Sequence, residues 1–191
     1  MGCDLHGKKG ALTRRGKVYF LDAVHLLHSA IPSQGWIKRG VSMQLKTNSG
    51  RNRLNILGAY SPDDRSLIRW EGRESCDAVR VVALLTKIRV ANPGKRLLVV
   101  LDNAPYNKAP AVLKAAAALR IQLLYLPTYS PNLNLIERLW KMLKRKVARN
   151  RFYPTFAEFR SAVQHFLDNL GQYQDELASL MTERFQLFTA A

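Results

Sequence analysis

Two runs of strand-forming apolar residues carry a carboxylate where a buried strand should have none. VYFLDAVHLL, Val18 to Leu27, is interrupted by Asp22, and the run Leu97 to Leu101 ends in Asp102. Residues apolar on both faces of a strand call for a packed layer on each side of its sheet. A carboxylate in such a place is costly unless it is paired or bound to a metal. For Asp22 the ordinary alternative is a strand acid paired with a Lys or Arg. A third run, Ile121 to Leu126, leads into a proline-bounded loop, and the helix after it carries Glu137 near its start. Three acids delivered by separate elements, in a strongly basic chain, suggest a metal site that works on phosphates.

The elements between these acids fall into a definite order. After the strand Val18–Leu27 come strands over Leu54–Tyr60 and Arg65–Trp70, joined by a turn at SPDD. Asp63 and Asp64 sit in that turn, where Asp is favoured for local hydrogen bonding rather than for catalysis. Helical spacing at Val79, Val82, Ala83, Leu85 and Ile88 predicts a helix over Ser75–Val90, with Ser75 as its N-cap. The strand to Asp102 follows, then a short helix Pro110–Leu119 with proline in its first turn, then the strand Ile121–Leu126. Ser130-Pro131 opens the next helix. Two more, Phe156–Leu170, broken by Gly171, and Glu176–Phe188, complete the order. Three antiparallel strands followed by alternating helix and strand make an α/β unit: a mixed five-stranded sheet flanked by helices, with a C-terminal helical extension. This is the order of the ribonuclease H-like fold. Its first and fourth strands lie side by side, which makes Asp22 and Asp102 neighbours and turns Glu137 toward them. The expected divisions are a basic arm at 1–16, the ribonuclease H-like catalytic domain at 17–151 and the helical extension at 152–191.

Charge points to the partner. The 191 residues carry 30 Lys and Arg against 14 acids, a formal charge of +16. Such a field draws polyanions, nucleic acid first among them. The excess lies upstream, since residues 152–191 hold only two cations against five acids. From Arg138 to Arg151 there are seven basic residues and no acid. The helix there has an apolar stripe of Ile136, Leu139, Trp140, Leu143 and Val147. Lys141 and Lys144 follow Glu137 at i+4 and i+7. A solvated helix face usually mixes signs, so a face of one sign favours nucleic acid contact. Trp36, flanked by Lys38 and Arg39, is a second candidate contact, with a hairpin corner as the ordinary alternative. His25 and His28 match no zinc spacing and read as substrate contacts or packing. Cys3 and Cys76 show neither metal spacing nor a disulfide framework, as expected of reduced thiols in a cytosolic protein. No secretory signal or apolar span is present, so the expected location is the cytoplasm, at the nucleoid, with no membrane partner.

VYFLDAVH, LVVLDNAP and LPTYSPNLNLIERLWKMLK together resemble the catalytic domain of mariner-related bacterial insertion-sequence transposases, members of the DDE superfamily of endonucleases. The resemblance covers Val18 to Arg151 and, more loosely, the tail. Its specific part is the last motif, which in that family typically reads leucine, two prolines, tyrosine, serine, proline, aspartate, leucine, asparagine, proline, isoleucine, glutamate. Leu126, Pro127, Tyr129, Ser130, Pro131, Leu133, Asn134, Ile136 and Glu137 match it; Thr128, Asn132 and Leu135 depart, at positions that are not metal ligands in the family. Thirty-four residues separate Asp102 from Glu137, the spacing expected of this branch.

The resemblance implies that Asp22, Asp102 and Glu137 form the catalytic triad. It implies two bound divalent ions about 4 Å apart, Mg²⁺ or Mn²⁺ given carboxylate and water ligands, working in DNA cleavage and strand transfer. Asn103 would then orient a ligand or the DNA backbone. Lys38, Arg39, Lys141, Lys144 and Arg145 would position phosphates without reading sequence. Double-stranded DNA, as transposon ends and target, is the expected partner. A homodimer is expected because such reactions pair two DNA ends. Family members normally carry N-terminal helix-turn-helix domains, and none is legible here. The expectation is a fragment, a decayed copy, or the second frame of a split element whose first frame supplies a separate helix-turn-helix protein. Two other functions compete: a catalytically inactive basic DNA-binding remnant, and a cellular ribonuclease H or junction nuclease. The stretch LPTYSPNLNLIE argues against the second.

Overall fold

The computed structural model describes residues 16–32, 39, 44–127 and 133–181. At its centre is a sheet of β1 (Gly16–Leu27), β2 (Arg53–Ser61), β3 (Ser66–Gly72), β4 (Arg96–Leu101) and β5 (Ile121–Tyr125). The strand order is β3-β2-β1-β4-β5. β1 runs antiparallel to β2 and parallel to β4, β2 antiparallel to β3, and β4 parallel to β5. The expected mixed sheet is therefore the observed one, with the first and fourth strands adjacent.

β1 takes the centre because its side chains are apolar on both faces. Val18, Phe20, Val24 and Leu26 enter one core layer, and Tyr19 and Leu21 enter the other. Helices α1 (Ala78–Ala91) and α2 (Pro110–Ala118) cover the Tyr19 side, through Val81, Leu84, Leu85, Ile88, Val112 and Ala116. Helices α3 (Leu135–Leu143), α4 (Phe156–Asp168) and α5 (Gln174–Leu180) cover the other. Phe159, Val163, Phe166 and Leu177 lie in the same core as β1 and α3, so the C-terminal helices share that core with the sheet. Each such side chain contributes roughly 1.5–3 kcal/mol on burial.

Three local expectations are corrected. The N-cap of α1 is Asp77, not Ser75; its side chain accepts the Arg80 N–H at 2.9 Å. The core-facing stripe of α1 is Val81, Leu84, Leu85 and Ile88, and Val79 is 73% exposed. Valines at 79, 81 and 82 allow two helical phases, and packing on the sheet selects one. α4 ends at Asp168, where the Asn169 N–H closes on the His165 carbonyl, before Gly171 is reached. The basic helix also changes form. After Leu143 the chain makes a wider π-type turn over Lys144–Ala148, closed by Arg149 N–H to Lys144 O at 2.9 Å.

Candidate active site

Period-two alternation places the first two acids. Val18, Phe20 and Val24 share a face with Leu98 and Val100. Asp22 lies between Phe20 and Val24 on that face, and Asp102 stands two residues beyond Val100. The β1–β4 ladder pairs Phe20 with Val100. Carried two residues further, that register sets Asp22 opposite Asp102, both toward the layer that contains α3. Asn134, 2% exposed, ties the start of α3 to the sheet by donating from Nδ2 to the Leu21 carbonyl at 3.2 Å. Leu135, Ile136 and Leu139 sink into the core, which leaves Glu137, in the first turn, half-buried beside it. A carboxylate there is favoured by the exposed N–H groups of the helix start.

The three acids share one electrostatic field. Burial is the main cause of a pKa raised to about 7 at Asp22. The Ala23 N–H that Asp22 accepts works against that rise, and the charges of Asp102 and Glu137 add to it. Burial also raises Glu137; Lys141 one turn along draws it back down and Asp102 pushes it up. Tyr106 is raised by burial first and then by Asp102. Among the described residues no three Asp, Glu, His or Cys side chains converge closely enough to grip an ion as they stand. Carboxylates in one field repel one another, and a dication is the counter-charge that relieves the repulsion. The donor set, all carboxylate and half-buried, fits a hard divalent cation.

Two further residues shape the surroundings of Asp22. Trp140 is 4% exposed, and its indole N–H is buried without a hydrogen bond of normal geometry, yet it stands near enough to Asp22 to lower its pKa. The same ring lies against Gly58, the β2 partner of Asp22 in the ladder. A Cβ at Gly58 would stand 2.7 Å from the ring's Cη2. Gly58 is thus needed for the close approach of Trp140.

Asp102 is held by its own loop. Its Oδ1 accepts from Ala104 N–H at 3.1 Å and from Asn107 Nδ2 at 2.6 Å. Asn103, expected to orient a ligand or DNA, instead donates from Nδ2 to the Leu126 carbonyl at 2.5 Å, joining the ends of β4 and β5. Asn107 was not legible as a partner of Asp102, since nothing local marks a five-residue return. The one signal is Pro105, which opens the 3-10 turn Pro105–Lys108 that swings Asn107 back.

The expected DNA contacts separate. Lys141 and Lys144 are exposed on the helix that carries Glu137. Together with Arg138, Arg145 and Arg149 they line a concavity of about 470 Å³ floored by Ile31, Met142 and Leu180. Arg145 and Lys146 both pair with Glu176 of α5, Lys146 at 2.8 Å. Arg39 is exposed; Lys38 and Trp36 lie outside the described residues, as do Thr128 to Asn132 of the proline loop. His28 packs against Phe156 and Phe159, and His25 bonds Asn55 Oδ1 through Nδ1 at 2.6 Å. Asp64 pairs with Lys17 at 2.6 Å. His25, His28 and Asp64 thus have partners other than the three acids.

A family model described as DDE superfamily endonuclease matches residues 17–160. The insertion element IS630 uncharacterized 39 kDa protein of Shigella sonnei is 23% identical over 160 residues, which are 82% of this chain and 46% of that protein. Among solved structures, the pre-cleavage Mos1 transpososome matches with a TM-score of 0.66 at 13% identity, over 96% of this chain and 60% of that one. The catalytic domain of Mos1 mariner transposase matches with a TM-score of 0.59 at 11% identity, over 97% and 90%. At these identities the structural likeness is one of fold, the ribonuclease H-like arrangement. The chain spans about half the length of the curated relative it matches.

Proposed function

Because this chain belongs to the DDE superfamily endonuclease family, we propose that it is the catalytic domain of an insertion-sequence transposase, which cleaves DNA at the element's ends and joins it to a target. Asp22, Asp102 and Glu137 are its catalytic carboxylates, and together they would hold two divalent cations, Mg²⁺ or Mn²⁺. When bound, such ions activate the attacking water or 3′-hydroxyl and stabilise the leaving oxygen at phosphorus. The chain's own groups do the rest. Asp22 sits on the central strand and has the least freedom, which suits a bridging ligand. Asp102 receives both of its loop donors on Oδ1, so Oδ2 would be the oxygen available to a cation. Lys141, next to Glu137, takes a phosphate beside the reacting one. Lys144, Arg145, Arg39 and Lys38 contact the DNA backbone, fixing register without reading bases. Trp140 closes the sheet side of the site against water.

A homodimer brings two DNA ends together, and a separate helix-turn-helix segment or protein selects them. The reaction takes place in the cytoplasm, at the nucleoid. Among the described residues no helix is long and apolar enough to cross a membrane.

The observation that supports this reading most is the parallel β1–β4 pair, whose last register, Phe20 with Val100, lies two residues short of both Asp22 and Asp102, together with the charges of Asp102 and Glu137 acting on Asp22. The test is nicking of supercoiled plasmid. Cleavage is expected with Mn²⁺ or Mg²⁺, none in chelator, and none in Asp102→Ala. Nicking that survives that substitution, or persists in chelator, rejects the reading. An inactive DNA-binding remnant would instead bind DNA and cleave under no condition.

A further inference from the structure

We infer that Asn107 is the positioning residue for Asp102: its buried amide sets the plane of the carboxylate that faces the cations. The inference rests on Asp102 being a metal ligand, as proposed above. Asn107 is 1% exposed, inside the turn Pro105–Lys108. Its main chain is held twice. The Asn107 N–H donates to the Ala104 carbonyl at 2.9 Å, and the Tyr125 hydroxyl at the end of β5 donates to the Asn107 carbonyl at 2.9 Å. The side chain therefore starts from a fixed point, and its Nδ2 donates to Asp102 Oδ1 at 2.6 Å. With the Ala104 N–H on the same oxygen, the carboxylate has two donors defining its orientation. Partners of this kind orient ligands in metal sites generally.

The other half of the amide shows what the residue is for. Asn107 Oδ1 is buried and has no hydrogen-bond partner among the described residues. An orphaned buried acceptor is a standing cost to the fold. Turning the amide over gains nothing, because it would set Oδ1 against Asp102 Oδ1, acceptor against acceptor. A leucine of similar size would remove the cost, and it would also remove the donor to Asp102. Neighbouring Asn103 cannot replace that donor, being committed to Leu126. The fold tolerates a half-satisfied amide here because Asp102 needs its other half.

The test uses Asn107→Leu and Asn107→Ser, with the unaltered chain and Asp102→Ala as references. Each is titrated with MnCl₂ by calorimetry and melted in chelator. Asn107→Leu is expected to melt in chelator at or above the unaltered chain, yet to bind Mn²⁺ about tenfold more weakly. Asn107→Ser, too short to reach Asp102, is expected to lose affinity by a similar factor, and it carries the test if the leucine variant does not fold. A merely structural asparagine would give a lower melting temperature with unchanged Mn²⁺ affinity, and that result overturns the inference. Should Asp102→Ala bind Mn²⁺ as the unaltered chain does, it is the reading of Asp102 as a ligand that fails, and the inference falls with it.

Discussion

Asp22 is an acid in a place that disfavours its charge. Its folded pKa of about 7 lies well above the ordinary 3.8. Well below pH 3.8, folded and unfolded chains both hold the proton and no penalty arises. As pH rises toward 7 the unfolded chain releases its proton first, and native stability falls. Above 7 the full penalty applies, roughly 3–4 kcal/mol for about three pKa steps. In chelator, Asp22→Asn is therefore expected to raise the melting temperature at pH 8, by about 3 °C or more once the new amide's own burial is set against the gain. The gap should close as pH falls below 3.8, and a pH series of thermal melts reads both ends. Gly58 gives a second residue-scale expectation. A methyl group there meets the Trp140 ring at under 3 Å, so Gly58→Ala should lose about 1–3 kcal/mol in denaturant titration and shift tryptophan emission as the ring moves. Asp22 stood out in the sequence because an acid inside VYFLDAVH needs either a pairing cation or a metal. Gly58, Trp140 and Asn107 did not, because each matters only through a neighbour far along the chain.

At the scale of elements, the strands were legible because two-sided apolar runs admit little else. The helices were legible in existence and less so in phase, as the valines of α1 show. The π-type turn after α3 could not be read at all. It is closed by tertiary bonds: Ile31 N–H reaches the Ala148 carbonyl at 3.0 Å, and Asn150 N–H returns to Ile31 O at 3.0 Å. Extra width in that turn accompanies two cations, Arg145 and Lys146, turned to Glu176 on α5. Glu176 has its pKa lowered, first by the Lys146 bond, and on the proposed function it competes with phosphate for these cations. Glu176→Gln is expected to tighten DNA binding about two- to fivefold at low salt, the modest scale of exposed ion pairs. Fluorescence anisotropy with a short duplex measures it, and unchanged or weaker binding would show that these cations do not meet DNA.

For the whole molecule, the split of charge matters more than its sum. The cations concentrate upstream of residue 152, and residues 152–191 add five acids and two cations. A surface of this kind binds a duplex mainly by releasing counter-ions. With four or more phosphate contacts, affinity should fall about a hundredfold or more between 50 and 200 mM salt. It should also differ little between unrelated duplexes. A salt series on two sequences checks both, and strong discrimination between them would mean that this chain reads bases itself.

Sequence alone determined the class of fold, the strands that carry Asp22 and Asp102, the helix that carries Glu137 and the basic face beyond it. All of these follow from local pattern: period-two and period-3.6 spacing, proline punctuation and charge. Only the tertiary structure decided the register of the β1–β4 pair, with Phe20 beside Val100, that Asn107 rather than Asn103 holds Asp102, and that Glu176 covers part of the basic helix. Parallel register and loop return are set by packing between elements far apart in the chain, and no local spacing encodes which oxygen a buried amide will find.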